Sequence, residues 1–370
     1  MSGTKVLMLN RSFSLTGGVP RVLLTYARYR DPERVNLQMA SMKPFAPAMA
    51  EAFRQAGVPI HQIGDLGYWR SARALRTILK THAIQVVVAA SLRSYLTAKL
   101  AAPAGCRVVY WIHGIATVTE DRLKTALWHW VARRDTFIFI SESAACAHRY
   151  ASHRGREVVV LNGVEDFLLQ APPYDKGYRA KLGIPENAFV FGYTAEFIEW
   201  KQHRTLLTAF AKLASEHPGL HLVLIGVGSL LEQMRAASSA ITGGERIHFL
   251  GVRQDARQLL GIMDVYVHPS NGEGFGLAVV EAMLARRPVV VSDAGALPEI
   301  VIDGKTGLVC RGGDANDLAA KMTQLMSDPP LREKLGEQAR AAALERFGAK
   351  RFAGQITTVL EVEVRAVAHS

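Results

Sequence analysis

Short β-rich runs alternate with amphipathic helical stretches along most of this chain, and the alternation limits what it can fold into. In the first half, the runs that predict strands cover residues 5–9, 35–39, 84–89, 107–112, 136–140 and 158–161. The stretches that predict helices cover residues 21–29, 46–56, 71–81 and 94–101. Repeated β-α alternation predicts a parallel sheet that helices cover on both faces.

The alternation stops over residues 171–188, where prolines, glycines and charges occur without a sustained apolar period. It then restarts. The predicted strands of the second half cover residues 189–193, 222–225, 247–250, 265–268 and 289–292. The predicted helices cover residues 203–216 and 228–239, and two more begin after residue 276 and near residue 314.

A chain of 370 residues exceeds what one hydrophobic core usually serves, so the two runs of alternation predict two domains. We expect an N-terminal domain over residues 1–170, a linker over 171–188 and a C-terminal domain over 189–350. A helical tail over 351–370 follows, with packing back on the N-terminal domain as one option. The expected fold class is α/β, with two doubly wound Rossmann-like domains that face each other across a cleft.

Composition excludes several classes of protein. No stretch approaches 18 uninterrupted apolar residues, so the sequence predicts no transmembrane helix. The apolar run at residues 6–9 is too short for a signal-peptide core and predicts a buried first strand. Three scattered cysteines, Cys106, Cys146 and Cys310, fit neither a disulfide framework nor a metal knuckle. We therefore expect a cytoplasmic protein.

The formal net charge of +11 is unevenly distributed along the chain. Residues 1–170 hold 22 Lys+Arg and 11 Asp+Glu, which leaves 44 − 22 = 22 basic and 33 − 11 = 22 acidic residues for 171–370. The excess positive charge therefore lies in the first half. It indicates either an anionic partner for that half, such as lipid head groups, nucleic acid or a phosphorylated substrate, or a merely soluble basic surface.

Residues 268–283, with the sequence HPSNGEGFGLAVVEAM, carry the strongest chemical signal. They begin where a predicted strand ends, and Gly272, Gly274 and Gly276 permit a tight turn with close backbone approach. From about Leu277 the apolar pattern is helical. A strand, a glycine-rich loop and a helix N-terminus together predict an anion site that would suit a diphosphate.

Two carboxylates frame this loop. Glu273 lies in the loop and Glu281 lies eight residues further on, inside the predicted helix. A carboxylate accepts hydrogen bonds from paired hydroxyls, so one could hold a donor sugar and the other a ribose. The alternative is that Glu273 is a turn residue and Glu281 a solvated helix residue.

This segment resembles the E-x7-E signature of GT-B glycosyltransferases, in particular the retaining family 4. Further segments resemble landmarks of that family in the same order: Gly17-Gly18-Val19-Pro20-Arg21, Trp111-Ile112-His113-Gly114, and residues 135–141, 161–164, 222–228, 249–251, 295–299 and 303–307. The resemblance implies a GT-B fold and a retaining, metal-independent, hexosyltransferase-type enzyme. Its C-terminal domain would bind a UDP- or GDP-linked sugar as substrate, without a cofactor, and its N-terminal domain the acceptor.

The resemblance also implies roles for single residues. The catalytic residues would be His113, Lys201 and Glu273. The residues that bind the nucleotide sugar would be Gly17, Gly18, Lys201, Gly274, Phe275, Gly276, Leu277, Ala278 and Glu281. Lys201 would neutralise the diphosphate leaving group, and His113 would contact the donor sugar or its phosphate. The implied reaction is front-side attack, with the leaving diphosphate as base.

One position departs from the family pattern. Five residues before its lysine the family usually places an arginine, and Glu196 stands there in this chain. A carboxylate would repel a diphosphate. Three explanations stay open: the local alignment shifts, another cation such as Arg204 or Arg21 substitutes, or donor activation is weaker.

Two basic segments of the first half suit a membrane surface. Arg70, Arg73, Arg76 and Lys80 recur at helical spacing, and residues 121–134 combine Trp128 and Trp130 with four cations, Arg122, Lys124, Arg133 and Arg134. We expect either peripheral contact with the anionic inner face of the cell membrane and a lipid-linked or glycan acceptor, or tryptophans packed inside beneath solvated charge.

Other functions are compatible with parts of this sequence pattern. A nucleotide-sugar epimerase, a phosphorylase-like enzyme or a catalytically weak GT-B binding protein would share the fold. A nucleic-acid-binding protein would fit the pI of about 9.7, but the sequence contains no helix-turn-helix, zinc-ligand spacing or aromatic-basic pattern to support it. We therefore expect no nucleic-acid partner.

Overall fold

The computed structural model describes residues 3–14, 17–114, 135–148, 155–169 and 172–368, of which 366–368 are described as helical backbone only. The chain divides into two compact units. The first comprises Met1–Glu165 together with Gly348–Ser370, and the second comprises Asp166–Phe347.

The first unit is built on a seven-stranded parallel sheet in the order β3-β2-β1-β4-β5-β6-β7. Its strands are β1 (Thr4–Asn10), β2 (Val35–Ser41), β3 (Ile60–Gln62), β4 (Val86–Ala89), β5 (Arg107–Ile112), β6 (Thr136–Phe139) and β7 (Arg156–Val159). Its helices are α1 (Gly18–Tyr29), α2 (Pro47–Gln55), α3 (Tyr68–Thr81), α4 (Leu92–Ala101), α5 (Glu142–His148) and α13 (Ala349–Ala368). β1 and β4 lie at the centre of the sheet, and residues 6–9 of β1 and 86–89 of β4 are apolar and fully buried, as strands covered on both faces must be.

The last helix, α13, packs on the first unit. It contacts α1 and strands β1, β4 and β5. The Tyr26 hydroxyl lies 3.2 Å from the Thr357 hydroxyl, and the Thr136 hydroxyl donates to the Glu363 carboxylate at 2.7 Å. These polar groups are buried, so each contact satisfies a group that would otherwise lose its hydrogen bond to water.

The second unit is built on a six-stranded parallel sheet in the order β10-β9-β8-β11-β12-β13. Its strands are β8 (Phe189–Thr194), β9 (Leu220–Ile225), β10 (Ile247–Phe249), β11 (Val265–His268), β12 (Val289–Ser292) and β13 (Leu308–Cys310). Its helices are α6 (His203–Ala214), α7 (Leu231–Ser238), α8 (Ala256–Leu259), α9 (Leu277–Leu284), α10 (Leu297–Ile300), α11 (Ala315–Ser327) and α12 (Pro329–Phe347). Short 3₁₀ segments cover Phe167–Leu169, Lys176–Leu182, Glu199–Lys201, Gly244–Arg246 and Leu260–Ile262.

Both sheets are parallel and doubly wound, which confirms the predicted fold class of two Rossmann-like α/β domains. Two short edge strands, β3 and β13, were not predicted. Each has only three residues, too few for an apolar period to be recognised.

The composition indicated a linker over residues 171–188, but the described part of it, 172–188, lies in the second unit. The physical reason is Arg179, whose side chain is fully buried. Its guanidinium donates to the Ile262 and Ala188 carbonyls at 2.6–2.9 Å and to the Asp264 carboxylate at 2.8 Å. These bonds hold the segment against the sheet. A buried charge is tolerated only where it is paired in this way.

Among the helices in the described ranges, none is both long enough and apolar enough to cross a membrane.

Candidate functional site

The order of strands in the second sheet reverses between β8 and β11, and this is its topological switch point. The two strands are adjacent and parallel, with Val265 opposite Phe191 and Tyr266 opposite Gly192. In doubly wound sheets, ligands bind outside the carboxyl ends of the strands at such a point. The loops that follow β8 and β11, residues 195–202 and 269–276, therefore form the candidate site of this unit.

Backbone hydrogen bonds fasten these two loops to each other. The Trp200 carbonyl accepts from the Asn271 amide at 2.8 Å and from the Ser270 hydroxyl at 3.0 Å. This bonding brings two predicted site residues together. Lys201 Nζ lies 2.5 Å from Glu273 Oε2, and the two side chains are only 16% and 15% exposed.

His268, the last residue of β11, is a third member of this cluster. Its Nε2 lies 3.0 Å from Glu273 Oε2, and its Nδ1 lies 3.4 Å from the Tyr266 hydroxyl. Burial lowers the pKa of His268, so the ring is neutral at pH 7. A neutral ring beside a carboxylate places its proton on Nε2, which then donates to Glu273. His268 was not predicted as a site residue from the sequence, although it precedes the glycine loop directly.

The Glu273 carboxyl stays ionised despite its burial. Burial alone would raise its pKa, but the hydrogen bond from His268 and the positive charge of Lys201 outweigh burial and lower the pKa to about 2. The loop that carries Glu273 is also anchored at its carbonyl, which accepts from the Ala296 amide at 2.9 Å. The carboxylate is therefore a fixed, charged acceptor.

Helix α9 begins at the same edge without a side-chain cap. Its N-cap is Gly276, at φ 105° and ψ 52°, a conformation that favours glycine, and its first turn contains no acidic residue. The first amides of a helix have no intrahelical acceptor and carry the positive end of the helix dipole. The amides of Leu277 and Ala278 open this helix, next to the loop that holds Gly274 and Phe275.

A third loop approaches from β9. A Cβ atom added to Gly226 would lie 1.9 Å from the Ala195 carbonyl oxygen, and one added to Gly228 would lie 2.4 Å from that of Phe197. Only glycine permits backbone contact this close. The loops after β8, β9 and β11 therefore meet at one edge of the sheet, with the loop after β8 in contact with the other two.

Glu281 lies inside α9 and is largely buried. Its carboxylate accepts from the Arg257 guanidinium at 2.9 Å, and that guanidinium also lies 5.1 Å from the centre of the Phe167 ring. Arg257 was missed from the sequence, because nothing in the pattern of the short helix α8 points to a partner 24 residues away.

Glu196 lies exposed after β8, and Arg204 lies exposed in α6. Neither side chain forms an ion pair within the described ranges.

The first unit places its predicted residues at the carboxyl ends of β1 and β5. Gly17 is the N-cap of α1 and Gly18 its first residue, again without a side-chain cap. His113 follows β5, and its ring centre lies 4.8 Å from that of Trp111. Burial lowers the pKa of His113 to about 3. Its Nε2 is buried and has no hydrogen-bond partner among the described residues.

The predicted segment 121–134 with Trp128 and Trp130 lies outside the described residues. Within the described ranges, no group of three or more His, Cys, Asp or Glu side chains is arranged to hold a metal ion.

The second unit contains a segment that is similar to a known protein family. Residues 175–342 match the sequence model of the family described as glycosyl transferases group 1. The matched residues lie within the second unit. The matched segment includes Lys201, His268, Glu273 and Glu281, so it contains the cluster at the switch point.

Relatives extend the similarity beyond this matched segment. The chain is 27% identical over 301 residues to EpsD of Bacillus subtilis (strain 168), a protein assigned as a glycosyltransferase, and the match covers 78% of this chain and 79% of that one. It is 28% identical over 248 residues to the lipopolysaccharide core biosynthesis mannosyltransferase LpcC of Rhizobium leguminosarum bv. viciae, with 66% and 69% covered.

A solved structure matches over nearly the whole length. HepE of Anabaena in complex with UDP-glucose has a TM-score of 0.82 and 26% identity, and the match covers 97% of this chain and 99% of that one. The family match and the structural neighbours together support a GT-B glycosyltransferase.

Proposed function

We propose that this chain is a retaining glycosyltransferase that moves a hexosyl group from a nucleoside-diphosphate sugar to a hydroxyl acceptor. The observation that carries the proposal is the Lys201–Glu273–His268 cluster at the switch point of the second sheet, beside the uncapped start of α9. A fixed cation and free helix amides suit a diphosphate, and a fixed carboxylate suits sugar hydroxyls.

The proposed donor is UDP- or GDP-linked. Lys201 and the amides of Leu277 and Ala278 would hold its diphosphate, and Glu273 with the backbone of 274–276 would hold its sugar. Glu281 would hold the ribose, with Arg257 keeping that carboxylate in place at 2.9 Å. The UDP-glucose in the HepE structure supports a nucleotide sugar as the ligand class.

The proposed chemistry needs no protein nucleophile. The bond from the sugar C1 to the leaving phosphate oxygen breaks, and a bond from C1 to the acceptor oxygen forms on the same face. The acceptor proton passes to the leaving phosphate. Negative charge grows on the diphosphate in the transition state, where Lys201 and the helix dipole would stabilise it, so a metal ion is not required.

In the first unit we propose roles for His113, Gly17 and Gly18. The low pKa of His113, about 3, keeps its ring neutral at pH 7, and the buried Nε2 has no partner among the described residues. A neutral imidazole can form one directed hydrogen bond to a sugar hydroxyl or a phosphate oxygen. Gly17 and Gly18 open α1 and would let a ligand approach its first amides.

The proposed acceptor is a lipid-linked or cell-surface glycan intermediate. The names of the relatives support this class, since one acts in lipopolysaccharide core biosynthesis. We propose a cytoplasmic enzyme that binds peripherally to the inner face of the cell membrane, where the basic first half would meet anionic lipids.

Thermal shift with UDP-, GDP- and ADP-sugars tests the donor site. A ligand at 100 times its Kd stabilises the folded state by about 2.7 kcal/mol, which raises Tm by several degrees. We expect one nucleotide class to raise Tm for the wild type and for the control Lys305→Ala, but not for Lys201→Ala. The absence of any shift across the panel would refute the proposed donor site.

A further inference from the structure

The first unit exposes four large apolar side chains at the start of two neighbouring helices. Leu66 is 62% exposed and precedes α3, which opens with Tyr68 and with Trp69, 78% exposed. Leu92, the first residue of α4, is 50% exposed. We call Leu66, Tyr68, Trp69 and Leu92 the apolar patch. Single exposed apolar residues are normal, but a contiguous group indicates an interaction site.

Side-chain contacts join and fix the two segments that carry the apolar patch. The Arg93 guanidinium lies 4.2 Å from the centre of the Tyr68 ring and donates to the Asp65 carboxylate at 2.8 Å, which joins the start of α4 to the segment before α3. The Ser71 hydroxyl donates to the Gly64 carbonyl at 2.8 Å. The apolar side chains are therefore exposed from an ordered segment.

The outer face of α3 continues the apolar patch as a row of cations. Trp69, Arg73, Arg76 and Lys80 follow at spacings of four, three and four residues and share one face, with Arg70 beside it. The opposite face is buried against the unit through Ser71, Ala72, Leu75 and Leu79. Among the described residues, none of these four cations (Arg70, Arg73, Arg76 and Lys80) has an ion-pair partner.

The charge around the patch is only partly neutralised, because Arg93, Lys99 and Arg107 pair with acids elsewhere in the chain while, within the described ranges, the four cations of α3 do not. Residues 66–119 hold no Asp or Glu. The same stretch contains seven cations: Arg70, Arg73, Arg76, Lys80, Arg93, Lys99 and Arg107. Helix α3 thus has exposed aromatic and leucine side chains at one end and a cationic outer face. This combination suits the boundary between the head groups and the acyl chains of a lipid bilayer.

We propose that the first unit docks on an anionic lipid bilayer through the apolar patch, with the cations of α3 over the head groups. A second copy of this chain fits less well as the occupant, because a symmetric contact would set the α3 cations of both copies against each other. The inference deepens the membrane contact proposed above and rests on it, but it does not depend on donor binding.

Vesicle flotation tests the proposal on the full chain, with phosphatidylglycerol-containing vesicles compared with pure phosphatidylcholine vesicles. The variant L66A/W69A removes two exposed apolar side chains, and we expect at least about tenfold weaker binding. The variant R73Q/R76Q/K80Q removes three charges. At about fivefold per charge, it should bind about a hundredfold more weakly, and wild-type binding should fall with salt.

Matched controls come from the second unit. I302A/L344A removes two apolar side chains that are 44% and 43% exposed, and K181Q/K305Q/K334Q removes three exposed cations with the same change in net charge. Both controls should float like the wild type. Because all substituted side chains are exposed, the variants should keep the nucleotide-dependent Tm shift measured without vesicles, which separates docking from the donor site.

Several outcomes would overturn the proposal. The proposal would be wrong if the wild type did not float, if it bound equally well to neutral vesicles, or if the patch variants bound as well as the controls. Capture of the wild type by polyglutamate but not by vesicles would assign the surface to an acidic protein partner instead.

Discussion

Lys201 and Glu273 are 72 residues apart in the sequence, yet Lys201 Nζ lies 2.5 Å from Glu273 Oε2. The contact exists because β8 and β11 are neighbours at the switch point and the loops after them are bonded together. Because the Glu273 carboxylate already holds the Lys201 ammonium in place, this cation does not need to move when negative charge develops on a nearby group. This pair is the centre of the proposed donor site.

The Arg257–Glu281 pair is expected to act on donor binding. Arg257→Ala would release the Glu281 carboxylate from its 2.9 Å contact, and Glu281→Gln would remove the charge that is proposed to hold the ribose. We expect each change to raise the KM for the nucleotide sugar about tenfold and to change kcat less, since the contact is the same in the ground and transition states. Glu232→Gln, on the surface of α7, is the control. A change in kcat alone would contradict this role.

Gly276 is expected to resist substitution. At φ 105°, an alanine would be strained, and its Cβ would lie 3.2 Å from the Leu297 side chain. Gly276→Ala should lower the free energy of unfolding by about 1–2 kcal/mol and weaken nucleotide binding, as measured by urea unfolding and calorimetry. Gly272→Ala is the matched control, because its Cβ would meet Trp200 only at an ordinary 3.8 Å. Equal effects of the two variants would argue against the strained cap.

Acid should destabilise the second unit through His203. Burial, with the nearby His268 and Lys201, lowers the pKa of His203 to about 3 from its ordinary 6.5. Between pH 6.5 and 3, the unfolded chain therefore binds a proton on His203 that the folded protein does not bind. The contribution of His203 to the free energy of unfolding is complete above pH 6.5. It is lost as pH falls toward 3, by up to about 1.4 kcal/mol per pH unit.

Urea unfolding of the wild type and of His203→Phe between pH 7.5 and 5 measures this loss. The variant keeps an aromatic ring against Phe197, whose ring centre lies 3.9 Å from that of His203. Its free energy of unfolding should fall less with acid than that of the wild type. Parallel pH dependences would show that His203 titrates normally.

Glu196 is expected to weaken donor binding in the present sequence. If it lies near the diphosphate, Glu196→Gln should tighten UDP binding about two- to fivefold, because one repulsive charge is removed near the surface. The gain should shrink at high salt. Glu199→Gln, three residues further on, is the control. Unchanged UDP affinity in Glu196→Gln would favour a shifted alignment.

The sequence predicted the parts of the structure that depend on local pattern. The β-α alternation predicted both sheets, and the strand, glycine loop and helix around Gly276 predicted an anion site where the structure has an uncapped helix start. Lys201 and Glu273 were both named from family resemblance, but their contact was not foreseen. Contact between them requires β8 beside β11, and strand order is not visible in a hydrophobic period.

His268 and Arg257 were missed for the same reason. Their roles come from side-chain partners, Glu273 and Glu281, that the fold brings within 3.0 Å. The segment 172–188 also looked like a linker by composition, whereas the buried Arg179 ties it to the second unit. Partner choice of this kind depends on tertiary packing and leaves no local signal.

The most direct test of the donor-site account is the initial rate of nucleotide release from the sugar nucleotide that shifts Tm most, measured for wild type and Glu273→Ala. The account predicts turnover by the wild type and a rate at least about a hundredfold lower in the variant, with the fold retained by circular dichroism. A Glu273→Ala rate equal to that of the wild type would contradict it.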